Sequence, residues 1–246
     1  MTFKDHFSRL ASQYAEFRPK YPGALFDLLA KTGPGRASAW DCACGSGQAS
    51  LDLAERFDSV YATDASVQQI AAAKPHPRVT YGVARAEASG IEAGTMDVIT
   101  VAQGLHWFDR PAFYTEARRV LRPAGLLAVW TYGIPRLNDA NLDRVMQAFY
   151  WETVGPYWPP ERRYVEDGYR SIDFPFAEIP APSLSMRETW TLPQFLGYLR
   201  SWSSVGRYVD DKGEDPVVQA DELFTPHWGS RARAVSWPLS LRLGRV

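Results

Sequence analysis

"WDCACGSG" (residues 40–47) sets two glycines one residue apart, behind an apolar stretch, ahead of a helix-like one and just after an acid. Glycines so placed let the backbone turn sharply and pass close to a ligand. Around the turn, "ASAWDCA" (37–43) reads as a short strand and "GQASLDLAERF" (47–57) as the helix after it. Further along, "SVYATD" (59–64) is a second strand ending on an acid, "SVQQIAAA" (66–73) a helix and "RVTYGVA" (78–84) a third strand. "MDVITVAQ" (96–103) has an unbroken Val/Ile core, the mark of a strand buried on both faces. "RPAFYTEARRVL" (110–121), with Pro near its start, is a helix, and "GLLAVWTY" (125–132) a fifth strand. Strands and helices alternating at this short spacing predict an α/β fold, a doubly wound, mostly parallel Rossmann-like sheet.

Upstream, residues 5–31 read as helical, with Phe7, Leu10, Tyr14 and Phe17 at helical spacing, a break at "RPKYPG" and a second helix through Leu25, Leu28 and Leu29. Downstream the texture changes: residues 133–182 are rich in Pro, Arg and aromatic residues, and periodicity weakens. Strand alternation returns at "SLSMRETW" (183–190), followed by a helix at "LPQFLGYLRSW" (192–202). "AVSWPLSLRL" (234–243) is a last strand, where Pro238 argues for an edge position or a bulge. The chain therefore reads as one domain interrupted by an insertion.

Composition narrows the function classes. Apolar residues make up 46% of the 246 and charged residues 22%, ordinary for a globular protein. A formal net charge of −1, with the arginines scattered, provides no field for nucleic acid or anionic lipid. There is no run of 18 apolar residues to cross a membrane and no apolar export core near the start, so the expectation is a cytoplasmic protein. The two cysteines, Cys42 and Cys44, both lie in the glycine stretch and are too few to hold zinc.

In a doubly wound sheet, ligands bind beyond the carboxyl ends of the strands. Asp64, ending the second strand, is placed to accept hydrogen bonds from both hydroxyls of a ribose, which suits a nicotinamide or an adenosyl cofactor. Asp41 discriminates between them: a carboxylate beside the loop repels a pyrophosphate and attracts an ammonium group. The dinucleotide fingerprint also lacks its third glycine, Ser50 standing in that place.

These features together resemble the class I S-adenosylmethionine-dependent methyltransferases, in particular the type 11 group, along residues 38–132. "WDCACGSG" is similar to the family's first motif, with Ala43 in place of its first glycine, a change the turn accepts if φ stays negative. "VYATD" resembles the ribose-binding strand end, "ARAEA" (84–88) the segment lining adenine, "MDVITVAQGLHWFD" the fourth strand and its exit, and "EARRVLRPAGLLAVW" the helix and strand that follow. The resemblance implies S-adenosyl-L-methionine as cofactor, held by Asp41, Ala43, Gly45, Gly47, Asp64, Ala65, Ala86, Glu87 and Gln103. Arg85 stands where the family often has an acid facing adenine, which moves that contact to the Ala86 amide and Glu87.

"YAEFRPKYP" (14–22) and "LHWFD" (105–109) are further similar to small-molecule methyltransferases of the trans-aconitate methyltransferase kind, which close an N-terminal helix over the cofactor. The implied divisions are an N-terminal helical cap (1–34), a cofactor-binding core (35–132), a lid insertion (133–182) and C-terminal elements completing the sheet (183–246). Tyr14, His106 and Trp107 become candidates for contact with the reacting groups, and Phe17 for lining the site.

Methyl transfer is an in-line displacement that needs alignment and exclusion of water, and a general base only where the nucleophile must lose a proton. Asn138 and Asp139 sit too far past the fifth strand to serve as magnesium ligands, so no metal is expected. The loop of base-amino methyltransferases is missing at "AQGL" (102–105), as is the glutamate pair of protein-arginine methyltransferases. A small molecule remains as acceptor, and Arg162 and Arg163 in the insertion are candidates to grip an organic acid. Two other readings stay open at this level, a nicotinamide dehydrogenase and a non-catalytic module that only binds the cofactor.

Overall fold

The computed structural model describes residues 18–246. Five parallel strands form the expected sheet: β1 (Ser38–Cys42), β2 (Ser59–Asp64), β3 (Val79–Val83), β4 (Met96–Ala102) and β5 (Leu121–Tyr132), in the order β3-β2-β1-β4-β5. Side-chain alternation divides the core between the two faces. Ala39, Val98, Leu126, Ala128 and Trp130 face one cluster, whereas Trp40, Cys42, Ile99, Val101, Leu127 and Val129 face the other. Helix α1 (Gly23–Thr32) and α2 (Gln48–Ala54) cover the first face, α3 (Val67–Ala71) follows β2, and α4 (Arg110–Val120) covers the second face. Asp109 caps α4 by accepting the Ala112 N–H, and Pro111 occupies its first turn, as the sequence pattern predicts.

The insertion is ordered and packed. It contributes β6 (Arg136–Leu137), α5 (Ala140–Ala148), a π-helical extension (Phe149–Thr153), a 3₁₀ turn (Gly155–Tyr157), α6 (Arg162–Glu166) and β7 (Ala177–Ile179). Phe149, Tyr150 and Val154 are buried in the first core cluster, and Tyr169, Ile172, Phe174 and Phe176 in the second. The segment thus packs on both faces of the sheet. After β8 (Leu184–Trp190) come α7 (Leu192–Arg200), α8 (Ser203–Lys212) and α9 (Pro216–Trp228), and the chain ends in β9 (Arg233–Arg245).

Pro238 does not mark an edge. β9 is antiparallel to β5 and β6 on one side and to β8 and β7 on the other. Pro238 is tolerated because of where it falls: the last pair with β5 is Tyr132↔Leu239 and the first with β6 is Arg136↔Ser236. Between them one side of β9 has no ladder partner to lose a hydrogen bond. Among the described residues no helix is long and apolar enough to cross a membrane.

Candidate active site

The carboxyl ends of β1, β2 and β4 meet at the glycine loop. Gly45 and Gly47 have φ of +55° and +85°, the left-handed region that glycine enters without strain. Ala43 joins them at φ +56°, against the expectation of a negative value. The turn imposes this geometry whatever residue stands there, so Ala43 carries a strain that the family's glycine avoids. A side chain on Gly47 would collide with the Tyr81 hydroxyl. One on Gly45 would meet only Gln69 Oε1, at 3.7 Å, so Gly45 fronts open space.

Asp64, at the tip of β2, is half-buried; Oδ2 accepts the Gly45 N–H at 2.9 Å and Oδ1 the Ser66 N–H at 2.8 Å. The carboxylate therefore ties the strand end to the loop at the place expected for ribose, and Ala65 lies beside it, half-buried. Asp41 is different. It has no exposed surface, and its oxygens accept from Ser50 Oγ at 2.6 Å and Thr100 Oγ1 at 2.9 Å, locking β1 to α2 and β4. Direct or water-bridged contact with a ligand, as expected from sequence, is not what this geometry offers. Burial raises the Asp41 pKa to about 6, with the Asp64 charge adding a smaller push. Cys42 is buried and Cys44 half-buried; both are free thiols, and burial pushes their pKa values up.

After β3, Ala86 is buried, and Glu87 accepts the Asp109 N–H at 2.9 Å while pairing with the exposed Arg85 at 3.3 Å. Glu87 thus joins the β3 exit to the start of α4. At the β4 exit, Gln103 is held at φ +62°; its Nε2 donates to the Tyr132 carbonyl at 3.1 Å, and its Oε1 accepts from Thr131 Oγ1. A Cβ on Gly104 would lie 3.0 Å from that of Ala43, so this exit packs directly on the glycine loop.

His106 and Trp107 follow in a single 3₁₀ turn (Leu105–Trp107), their rings 4.6 Å apart. His106 Nδ1 lies 2.8 Å from the hydroxyl of Tyr169, which reaches in from the insertion. Burial, then the positive charges of Arg162 and Arg110, lower the His106 pKa to about 3, so the ring is neutral at pH 7. Trp107 is 37% exposed.

The structure separates the two candidate arginines. Arg162 is half-buried, its guanidinium 4.2 Å from the Trp158 ring centroid and its Nε donating to the Tyr150 hydroxyl at 2.7 Å. The Tyr150 hydroxyl in turn donates a hydrogen bond to Glu166 Oε1 at 2.8 Å. The terminal nitrogens of Arg162 take no acceptor among the described residues. Arg163 is exposed and engaged with Tyr164, stacked at 4.8 Å and donating to its hydroxyl at 3.0 Å, which turns it away from the role expected of it. Asp139 caps α5 through the Asn141 and Leu142 amides, so it holds a helix. Among the described residues no three His, Cys, Asp or Glu side chains gather to hold a metal. Tyr14 and Phe17 lie outside the described residues, but the segment following them is placed. Arg18 donates to the Tyr132 hydroxyl at 2.8 Å, the Pro19 carbonyl accepts from Gln48 at the loop helix, and Tyr21 packs edge-on against Trp130.

A methyltransferase domain profile matches residues 40–129. A Dictyostelium discoideum protein carrying a methyltransferase name is 34% identical, over 99% of this chain and 95% of its own length. The chain belongs to the S-adenosylmethionine-dependent methyltransferases. A solved structure from Anaeromyxobacter dehalogenans, titled as a type II methyltransferase, is 46% identical, covers 93% of this chain and 98% of its own, and superposes with a TM-score of 0.88. A Saccharomyces cerevisiae protein named as an S-adenosylmethionine-dependent methyltransferase is 23% identical over 85% of this chain and 84% of its own. The methyltransferase fold expected from the sequence, its enzyme class and its cofactor are therefore established together.

The site suits that cofactor: Gly45 faces open space that any side chain would enter, and a carboxylate stands at the β2 tip beside it. The residue missed at the sequence level is Thr131, which holds Gln103 at the β4 exit; Tyr169 was legible only as one of the insertion's aromatic residues, without its contact to His106. "GY" at 168–169 carried one usable signal, a glycine followed by an aromatic residue inside an insertion that otherwise lacked periodicity.

Proposed function

We propose that this methyltransferase acts on a small organic acid, methylating an ionised oxygen. The observation that supports the reading is Arg162: a half-buried guanidinium, stacked on Trp158 and near enough to His106 to depress its pKa, whose terminal nitrogens take no acceptor among the described residues. Stacking and the Tyr150 hydrogen bond fix the plane of the fork, which favours a two-point grip on a carboxylate.

When bound, S-adenosylmethionine supplies an electrophilic methyl group on a sulfonium. In this reading Asp64 accepts from the ribose hydroxyls, with Ala65 beside it, and Gly45 and Gly47 admit the cofactor's backbone-proximal portion next to Ala43. Ala86 and Glu87 border the adenine, and Gln103 borders the methyl path. Asp41, buried behind the loop, contributes through its field at the amino-acid end. The bound sulfonium would supply the methyl group and take the electron pair of its S–C bond, while Arg162 would hold the acceptor's ionised oxygen toward it. No proton moves, which agrees with a site whose histidine is a very weak base. The insertion, rich in Tyr150, Trp158 and Tyr169, keeps water from the path.

Methyl transfer screened over metabolite pools, with mass detection of the methylated product, tests the acceptor class. With an acidic acceptor, Arg162→Ala is expected to raise KM about ten- to hundredfold, or ~1.4–3 kcal/mol, with cofactor affinity nearly unchanged. Arg163→Ala is the control and should leave KM within about twofold. A neutral or cationic acceptor, or an unaltered KM in the Arg162 variant, refutes the proposal.

A further inference from the structure

We propose that Gln69 is a further cofactor-binding residue, whose side-chain amide hydrogen-bonds a ribose hydroxyl alongside Asp64. The proposal rests on the placement of the ribose at Asp64 in the reading above and is independent of the acceptor.

Gln69 belongs to the turn that follows the β2 tip. Asp64 Oδ1 accepts the Ser66 N–H at 2.8 Å, Ser66 Oγ accepts the Gln69 N–H at 3.3 Å, and Asp64 Oδ2 accepts the Gly45 N–H at 2.9 Å. These three bonds tie the Gln69 backbone to both the carboxylate and the glycine loop. From there the side chain reaches toward the loop. Among the described residues, Gln69 Oε1 is the nearest heavy atom to a Cβ built on Gly45, at 3.7 Å. The amide therefore borders the open space in front of Gly45.

Its surroundings do not account for its polarity. Gln69 is 7% exposed, yet its side-chain nitrogen and oxygen take no hydrogen bond among the described residues. Neither atom is sealed inside the protein, so the little surface that Gln69 retains includes its amide. Gln68 beside it is the ordinary case, exposed and with Oε1 accepting from Ser66 Oγ at 3.2 Å. At a buried helical position Met or Leu would fill the volume without burying a polar group. While the space before Gly45 holds solvent, water can meet the amide. Once the cofactor displaces that water, an amide with no bond to the cofactor bears its full desolvation cost.

Ribose offers the matching group. Each hydroxyl is both a donor and an acceptor, whereas the Asp64 carboxylate can only accept. Asp64 takes hydroxyl protons and leaves the hydroxyl oxygens in need of a donor, which an amide NH₂ supplies. No protein partner holds either end of the Gln69 amide, so a half-turn about its last bond brings the NH₂ to the sugar.

Calorimetry with S-adenosylhomocysteine, the demethylated cofactor, and with its 2′-deoxy and 3′-deoxy forms tests the assignment. Gln69→Met should bind S-adenosylhomocysteine about three- to tenfold more weakly, and the penalty for deleting one of the two hydroxyls should shrink by the same factor. Gln68→Met, the neighbouring control, should stay within about twofold of the native protein. Without ligand, Gln69→Met and Gln69→Leu should unfold in urea at no lower midpoint than the native protein, since neither loses a protein partner. Lower midpoints in both would reveal such a partner and overturn the proposal. Native affinity in Gln69→Met, or unchanged hydroxyl penalties, would overturn it as well, while a shrunken penalty in Asp64→Ala would keep the ribose at Asp64. Penalties left intact in Asp64→Ala would instead remove the ribose from Asp64, and the Gln69 role with it.

Discussion

Replacing Asp41 by Asn tests whether a buried acid is kept at the cost of stability. The carboxylate sits at 0% exposure with two hydroxyl donors, and its pKa rises from 3.8 to about 6. That is about two pH units, or roughly 3 kcal/mol at about 1.4 kcal/mol per unit. Because the folded-state value is the higher one, the associated stability is fully present below about pH 3.8 and is lost as pH rises through about 6. Above about pH 7 the folded protein bears the whole cost of the ionised form. Asn removes the charge and keeps the shape. Its carbonyl accepts from Ser50, and its amide can donate to Thr100, whose proton has the Trp40 carbonyl at 3.5 Å as an alternative acceptor. Urea unfolding of both proteins at intervals from pH 4 to pH 8 isolates the residue in the difference between the curves. The variant should gain on the native protein as pH rises, by about 1–3 kcal/mol at pH 7.5, while binding S-adenosylmethionine more weakly. Its affinity for methylthioadenosine, which lacks the amino-acid end, should fall less. Parallel pH curves would refute the ionisation argument, and equal affinity losses for both ligands would leave Asp41 as a fastener of the turn alone.

Asp64→Ala should weaken cofactor binding by about 1.5–3 kcal/mol through lost bonds to the ribose, and calorimetry showing unchanged affinity would remove Asp64 from the site. The same variant frees the Gly45 and Ser66 amides, so its unfolding midpoint should drop as well. Ala43→Gly relieves a left-handed alanine at φ +56° and should stabilise the fold by about 0.5–1 kcal/mol in chemical unfolding; a loss of stability would contradict the strain assigned to that turn.

The parallel-sheet half of the molecule was legible because its information is local. A strand, a glycine turn and a helix are contiguous at residues 38–54, and β2 ends on Asp64 in sequence as it does in space. The unbroken apolar run of β4 announced burial on both faces, and the two core clusters bear that out. Two local details were beyond reach. The sign of φ at Ala43 depends on the turn as a whole, and the Pro238 environment depends on which strands flank β9, a tertiary fact. The burial of Asp41 belongs with these, since its partners Ser50 and Thr100 stand 9 and 59 residues away.

The insertion is encoded differently. His106 meets Tyr169 across 63 residues, and Thr131 meets Gln103 across 28, so no window of sequence contains the arrangement. What distinguishes Arg162 from its neighbour Arg163 is likewise tertiary. One stacks on Trp158 and reaches Tyr150, whereas the other leans on exposed surface beside Tyr164. The insertion that supplies these groups is buried through its aromatic residues in both core clusters, which gives its polar tips fixed positions. A change in the chain between β5 and β8 can therefore re-aim Arg162 and Tyr169 while leaving the glycine loop and Asp64 untouched. On the acceptor reading proposed above, this division assigns acceptor specificity to residues 133–182 and cofactor binding to the glycine loop.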